Sequence, residues 1–453
     1  MKTRRNATTK TAAVAALVLA AFAANPVAPA HSTGTRASQT IAPGVVLKRV
    51  TEPGPNRVKV LIIDPSQAAS IDTTMARSTF GGWARTSDMA TAHGALAAVN
   101  GDFGISPGRP GHLFAEDGDL KQTTVLGNDG KNFAVSADES NLYLDSPNVS
   151  VTVLQVASRK TWTVDRWNQG GISGGQVSGY SAVGGSVEPT PRSSCSARLN
   201  PVTGPAWGAG QIGVARDYTV DAVACGATSM SLNGGVVLSS SQSGIGAALV
   251  KGLTRGETVR MTWSLGWAGV LDSIGGSPIL LQNGKVVVTN CSSYLCEVHP
   301  RTAVGTTADG KVIIMVVDGR WPGYSVGMNL VQLANEMKKF GAVNALNLDG
   351  GGSSTMWVRG MGVINKPSDG TERSVSNALL VLPGADTGEP SLVRPVIAGM
   401  AEIIAATDPD PGAAFNAALT DPGSTGGWLD SLDPTALDQR MQQNLDTFRA
   451  SQR

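Results

Sequence analysis

Three aspartates follow short apolar runs, and each is a candidate for chemistry. Asp102 comes after residues 95–99 through Asn100-Gly101, Asp318 closes 311–318, and Asp349 follows 343–348. Carboxylates flanking a reacting bond can divide the work of acid, base and nucleophile. Asp349 runs directly into Gly350-Gly351-Gly352-Ser353-Ser354. Three glycines permit backbone with φ > 0, and successive N–H groups in such a turn can form a nest for a phosphate. The segment is not a nucleotide P-loop, since no lysine follows at that spacing and residues 355–358 read as a strand. Arg301 and Arg320 add guanidinium groups suited to a phosphate's charge. A zinc hydrolase is disfavoured: the chain has four histidines and no H-E-x-x-H pattern.

The elements that must position these residues are legible around them. Residues 302–307 and 311–318 read as strands of a hairpin, with Asp309-Gly310 as a two-residue turn. That loop makes 308 face 311, and so predicts that Arg301 faces Asp318 on one side of the sheet. The same two residues also read as a structural cross-strand ion pair. A helix is predicted over 329–340, where Leu330, Leu333, Ala334, Met337 and Phe340 form one apolar face. Asn329 caps it with Gln332 three residues on, and Gly341 follows its end. Strand, helix and strand together predict a right-handed crossover joining 311–318 and 343–349 as parallel neighbours. Ligands gather beyond the carboxyl ends of such strands. If the strand at 95–99 joins in parallel, Asp102 reaches the same crevice; otherwise it is a solvated aspartate in an Asn-Gly turn. The expectation is one pocket lined by Arg301, Asp318, Asp349, residues 350–353 and residues 100–102.

Composition bounds the rest. The 453 residues include 55 glycines and 24 prolines, with 41% hydrophobic and 16% charged residues. That mixture predicts many turns and few long solvated helices. The fold class expected is α+β: a mixed β-sheet with packed helices, the crossover carrying the site, and glycine-rich β insertions between roughly 104 and 290. Basic and acidic residues nearly cancel at 36 and 35, which argues against a nucleic-acid partner. No apolar run past the N-terminus reaches the ~18 residues of a membrane span. Residues 1–30 read as a signal peptide: Lys2, Arg4, Arg5 and Lys10 precede an apolar stretch at 11–24, and Ala28-Pro29-Ala30 is a small-x-small cleavage signature. An uncleaved anchor is the alternative. Cleavage would lower the formal charge from +1 to −3 and direct the protein to the cell envelope or beyond. Residues 31–40 read as a loose segment, 41–383 as the catalytic domain, and 384–453 as a linker with a weakly helical appendage. Export suits disulfides, and local spacing favours Cys195–Cys225 and Cys291–Cys296. The competing zinc reading lacks a C-x-x-C.

These residues carry a family resemblance. The runs from His299 to Gly305, from Val317 to Arg320 and from Asn347 to Met356 are similar to the phosphodiester glycosidase family. The blocks at 98–103, 274–278 with Asn283-Gly284, 365–369 and 376–378 resemble it in the family's order. The resemblance implies hydrolysis of a sugar-1-phosphodiester at the glycosidic carbon–oxygen bond, with a sugar-phosphodiester glycoconjugate of the envelope as substrate. On this reading Asp349 and Asp318 are the principal carboxylates, Asp102 is next, and Arg301 joins them in catalysis. Asn100, Thr302, Gly319, Arg320, Asn347, Gly350, Gly351, Gly352, Ser353 and Asn365 would hold substrate and phosphate. Which carboxylate is acid and which nucleophile stays open. No cofactor is implied, with a divalent cation such as calcium or magnesium left open. Two rivals use the same residues. In a metal-dependent phosphodiesterase, Asp102, Asp318 and Asp349 with Asn100 would hold a hard cation. A non-catalytic envelope protein would bind polysaccharide on the same scaffold.

Overall fold

A computed structural model describes residues 36–384 apart from 68, 127–129, 173–174, 185–186, 189–193, 203–209, 227–229, 233–234 and 290–295. The expected signal peptide at 1–30, residues 31–35 and the tail from 385 lie outside the described residues, as does Cys291. Residues 36–40, expected to be loose, are paired backbone in the strand Arg36–Ala42.

The α+β expectation is corrected. Among the described residues the structure is mostly β, with 51% strand against 10% helix, and it includes a sheet that comes close to a closed barrel. Among the described residues the α-helices are Thr86–Ala92, Ile245–Lys251 and Leu330–Lys339. The glycine-punctuated, β-branched runs that looked like insertions are the body of the molecule. Between 104 and 290 they build an eight-stranded and a five-stranded sheet, the latter with Val270–Gly276 at its centre.

The site rests on two other sheets. The first has eight strands in the order Arg36–Ala42, Val45–Glu52, Asn56–Ile63, Val312–Val317, Arg301–Thr307, Ala342–Asn347, Ile279–Gln282 and Lys285–Val286. The second has five: Gly362–Val363, Met356–Val358, Ala97–Asn100, Asn377–Pro383 and Ala69–Met75. One face of the first sheet, with Leu61, Val304, Ile314 and Leu346, shares a core with Ile71, Val99, Met356 and Leu379 of the second. Its other face, with Val60, Ala303, Ile313 and Met315, packs under Leu330, Leu333, Ala334 and Met337 of the Leu330–Lys339 helix. Val312–Val317 is therefore buried on both faces, which is why it reads as an unbroken apolar run.

The helix matches its sequence signature. Asn329 accepts the N–H of Gln332 at 2.8 Å, and Gln332 accepts the N–H of Asn329 at 2.9 Å, a complete capping box. The crossover does not match. Val312–Val317 and Ala342–Asn347 point the same way but are not neighbours, because Arg301–Thr307 lies between them and pairs antiparallel with both. The reason is edge occupancy. The local hairpin fills one edge of Val312–Val317, and Asn56–Ile63 fills the other.

The hairpin register also differs by one. Thr307 donates its N–H to the Lys311 carbonyl at 2.9 Å, so the loop holds three residues, with Gly310 at φ +78°. A three-residue loop of this kind needs a left-handed last residue, which glycine supplies. Arg301 consequently faces Val317 rather than Asp318, and a one-residue shift sends side chains to opposite faces.

In the eight-stranded sheet of the middle region, Cys195 and Cys225 occupy facing positions of neighbouring strands and are joined as a disulfide, as spacing suggested. Cys296 is also disulfide-bonded. The Cys195–Cys225 bond closes a separation of 30 residues. Replacing both cysteines by serine should lower unfolding stability by about 3 kcal/mol through the freed loop. Denaturant titration against wild type measures this, and an unchanged midpoint would contradict it.

Candidate active site

Asp349 leaves the end of Ala342–Asn347 and meets the second sheet at once. Its N–H donates to the Gly101 carbonyl at 3.0 Å, and its own carbonyl accepts from Asn100 Nδ2 at 2.7 Å. Asn100 Oδ1 takes the Thr302 hydroxyl at 2.7 Å and the Thr355 N–H at 3.1 Å. The segment at 100–102 therefore reaches Asp349, but from a separate antiparallel sheet rather than as a parallel strand of the same one.

The Asp349 carboxyl faces a cavity of about 270 Å³, lined also by Trp83, Gly104, Ser353, Arg373, Ser374 and Val375. Burial pushes its pKa up to about 6. The Ser353 hydroxyl and the Gly350 N–H, the latter at 2.9 Å, hold it down; the charge of Asp102 raises it and that of Arg373 lowers it. Arg373 is oriented by Asp369, with Nε to Oδ2 at 2.9 Å.

Asp102 is wholly buried and clasps His112. Its Oδ1 meets Nδ1 of the imidazole at 2.6 Å and its Oδ2 accepts the His112 N–H at 2.6 Å. Burial alone would lower the His112 pKa, but the hydrogen bond and charge of Asp102 override it and leave it raised.

Asp318 is placed differently. Its carboxylate is 0% exposed, forms an ion pair with the buried Lys59 ammonium and accepts the Lys366 N–H at 2.9 Å. Burial lowers the Lys59 pKa while Asp318 pulls it back up. Asp318 does not line the Asp349 cavity, and neither does Arg301, whose Nε donates to the Met328 carbonyl at 2.9 Å.

The remaining candidates mostly shape the backbone. Asn347 Nδ2 donates to the Ser277 carbonyl at 2.7 Å; Asn365 bridges the Met356 N–H and the Ser354 carbonyl. Thr302 is taken up by Asn100, and Gly319 is packed against Pro300. Arg320 adopts φ +63°, and its guanidinium lies over Gly351 and within 3.4 Å of His299 Nδ1. The glycine turn is less of a nest than its sequence suggests. Gly350 N–H goes to Asp349, Gly351 N–H to Pro300, Ser353 N–H to Gly350 and Ser354 N–H to Gly351. Gly352 carries the turn's one N–H outside these bonds.

The donors that a metal reading needs are likewise committed: Asp102 to His112, Asp318 to Lys59, and Asn100 Oδ1 to Thr302 and Thr355. Among the described residues no three His, Cys, Asp or Glu side chains are grouped to hold a metal ion. Sequence reasoning passed over Trp83, His112 and Arg373. Arg373 had a signal, its i,i+4 spacing from Asp369. Trp83 had only its place after Gly81-Gly82.

The turn bearing Asp349 and the segment bearing Arg373 fall in a stretch, residues 210–382, that matches the family model described as phosphodiester glycosidase. This stretch belongs to the phosphodiester glycosidase family. The chain is 42% identical over 90 residues to the SPbeta prophage-derived uncharacterized protein YomE of Bacillus subtilis (strain 168), covering 20% of this chain and 14% of that protein. It is 32% identical over 110 residues to the N-acetylglucosamine-1-phosphodiester alpha-N-acetylglucosaminidase of Bos taurus, covering 21% and 20%. The match thus spans a fifth or less of the length of these two relatives. The fold is similar to that of a Burkholderia pseudomallei K96243 protein described as exported, with a TM-score of 0.59, 18% identity, and coverage of 79% of this chain and 98% of that one. Trp83, Gly104, Asp102 and His112 lie outside the phosphodiester glycosidase stretch, so the cavity is completed by the N-terminal part of the chain.

The two principal carboxylates should respond oppositely to neutralisation. Asp318→Asn strands a buried ammonium and should cost about 3 kcal/mol of stability. Asp349 has a folded pKa raised above its unfolded value, so its contribution is fully present below about pH 4 and is lost as pH rises through about 6. Asp349→Asn should therefore be neutral or stabilising by up to about 2 kcal/mol at pH 8. Chemical denaturation of both variants at pH 8 checks this pair; equal losses would contradict it.

Proposed function

We propose that this protein hydrolyses a sugar-1-phosphodiester at the glycosidic carbon–oxygen bond, releasing free sugar and a phosphomonoester. The observation that carries the reading is the half-buried Asp349 carboxyl, with a pKa pushed up to about 6, in a cavity it shares with Arg373 and Ser353. Glycosidic cleavage develops positive charge on the sugar, which a buried carboxylate stabilises or attacks. The phosphate is already a good leaving group, so it needs a cation more than a proton. Arg373, braced by Asp369, supplies that cation. Asp349 then works ionised, as nucleophile or base. Asp102, clasped to His112, keeps a second negative charge close by and so keeps Asp349 basic. Asp318 and Arg301 serve in this reading as buried supports of the framework.

The substrate is a glycoconjugate outside the cytoplasm. The Cys195–Cys225 disulfide supports that location, as do the likeness to a protein described as exported and the N-terminal signal pattern. The named activity of the bovine relative makes N-acetylglucosamine-1-phosphodiesters the first substrates to try.

Hydrolysis in isotopically labelled water should put the solvent oxygen on the sugar; label on the phosphate would mean phosphorus–oxygen cleavage and overturn the reading. Asp349→Asn should cut kcat by about a thousandfold or more. Because Asp349 acts ionised, wild-type kcat should fall as pH drops through about 6. A rate that instead rises on acidification through that range would make Asp349 the acid.

A further inference from the structure

Trp83 is 41% exposed, whereas Trp167 and Trp263 are fully buried in the middle sheet. An indole left open to solvent beside a carboxylate cavity asks for a partner. Its ring has a seat on the backbone. A Cβ added at Gly104 would collide with the indole Cζ3 and lie 2.8 Å from Cη2, so the bare Gly104 backbone is the surface on which the ring rests. Trp83 immediately precedes the strand Ala84–Arg85, which pairs antiparallel with Ser374–Val375, the strand that Arg373 immediately precedes. Antiparallel pairing makes the two residues enter this ribbon at opposite ends. Three residue steps separate them along it, about 10 Å at ~3.3 Å per residue. Both line the cavity that holds Asp349.

We propose that Trp83 is the platform on which the sugar ring of the substrate stacks, and that Trp83 and Arg373 together set the direction in which the substrate lies. A pyranose has an apolar C–H face that covers an indole, while its hydroxyl edge stays hydrated or hydrogen-bonded. The C1 phosphate then extends toward Arg373, and the bond between them comes to Asp349. The inference rests on the glycosidase reading for its substrate class and adds the residue that recognises the sugar. It also assigns that recognition to a part of the chain outside residues 210–382.

The test uses the full chain with Trp83→Ala, Trp83→Phe and Gly104→Ala, the last adding a methyl group that pushes the indole off its seat. Substrates are phosphodiesters of N-acetylglucosamine-1-phosphate with a short and a long aglycone. Trp83→Ala should raise KM about tenfold for both aglycones with little change in kcat, the signature of lost uniform binding. Gly104→Ala should act in the same direction, and Trp83→Phe should recover part of the loss. Unchanged KM, a KM loss confined to the long aglycone, or a loss carried entirely by kcat would each overturn the proposal. Calorimetric titration of N-acetylglucosamine-1-phosphate into wild type and Trp83→Ala reads binding without turnover. Trp83-dependent binding by a protein that hydrolyses nothing would refute the glycosidase reading and leave the platform standing. Equal binding by both proteins, or by neither, would overturn the platform.

Discussion

The side-chain amide of Asn100 is the joint of this structure. It is fully buried, and each of its polar atoms is engaged: the oxygen by Thr302 and Thr355, the nitrogen by the Asp349 carbonyl. These partners belong to two separate stretches of chain, one at Thr302 and one running from Asp349 to Thr355. A buried polar group left unpaired costs about 1–3 kcal/mol, so all must arrive together or the arrangement does not form. Once they do, Asp349 hangs from Asn100 and Gly101 at the seam of two sheets. The glycine turn is pinned behind it, and the carboxyl has one direction left in which to point.

The surroundings then treat the three aspartates differently, two of them buried and Asp349 half-buried. Asp318 has a full counter-charge in Lys59, and Asp102 has the imidazole of His112. Asp349 has a serine hydroxyl and a backbone N–H, with Arg373 contributing only a minor charge effect. Dipoles offset less of the cost of burying a charge than a paired cation does, and the Asp349 carboxyl is pushed up to about 6. The charge of Asp349 is thus the least compensated of the three. A fully paired carboxylate is a poor candidate for catalysis, however suggestive its place at a strand end.

Legibility in the sequence followed the range of the interactions. The Leu330–Lys339 helix, with its capping box and apolar face, is specified within about a dozen residues and was readable to within a residue or two at its ends. The existence of the 301–317 hairpin was equally local. Its register was not, because Asp309-Gly310 suits a two-residue loop and a three-residue loop alike, and the choice rests on where Thr307 bonds. That single ambiguity moved Arg301 from Asp318 to Val317. The neighbours of Val312–Val317 depend on Asn56–Ile63, some 250 residues earlier, and no local pattern announces such a pairing. The glycine-rich middle was read as short β segments, yet its weight in the fold was underrated, since strands mostly under nine residues long and separated by turns carry little periodicity. Trp83 and Arg373 meet through strands of two residues each, too short to show any pattern. Asp349, Asp102, Asn100 and the glycine turn were found because their types and order are distinctive, and they do meet, although through two sheets rather than one.

The second sheet orders its strands in a way that bears on how the chain comes together. Ala69–Met75 and Ala97–Asn100 are not paired with one another; both pair with Asn377–Pro383, which lies between them. While the polypeptide is being made, those early strands must wait for nearly three hundred further residues before their central partner exists. Non-local pairing of this kind is slow, and waiting edges invite wrong partners. A chain that ends between residues 358 and 377 has Asp349, the glycine turn and Asn100 but lacks the strand that joins Ala69–Met75 to Ala97–Asn100. The second sheet is thus completed only by one of the last strands of the described chain.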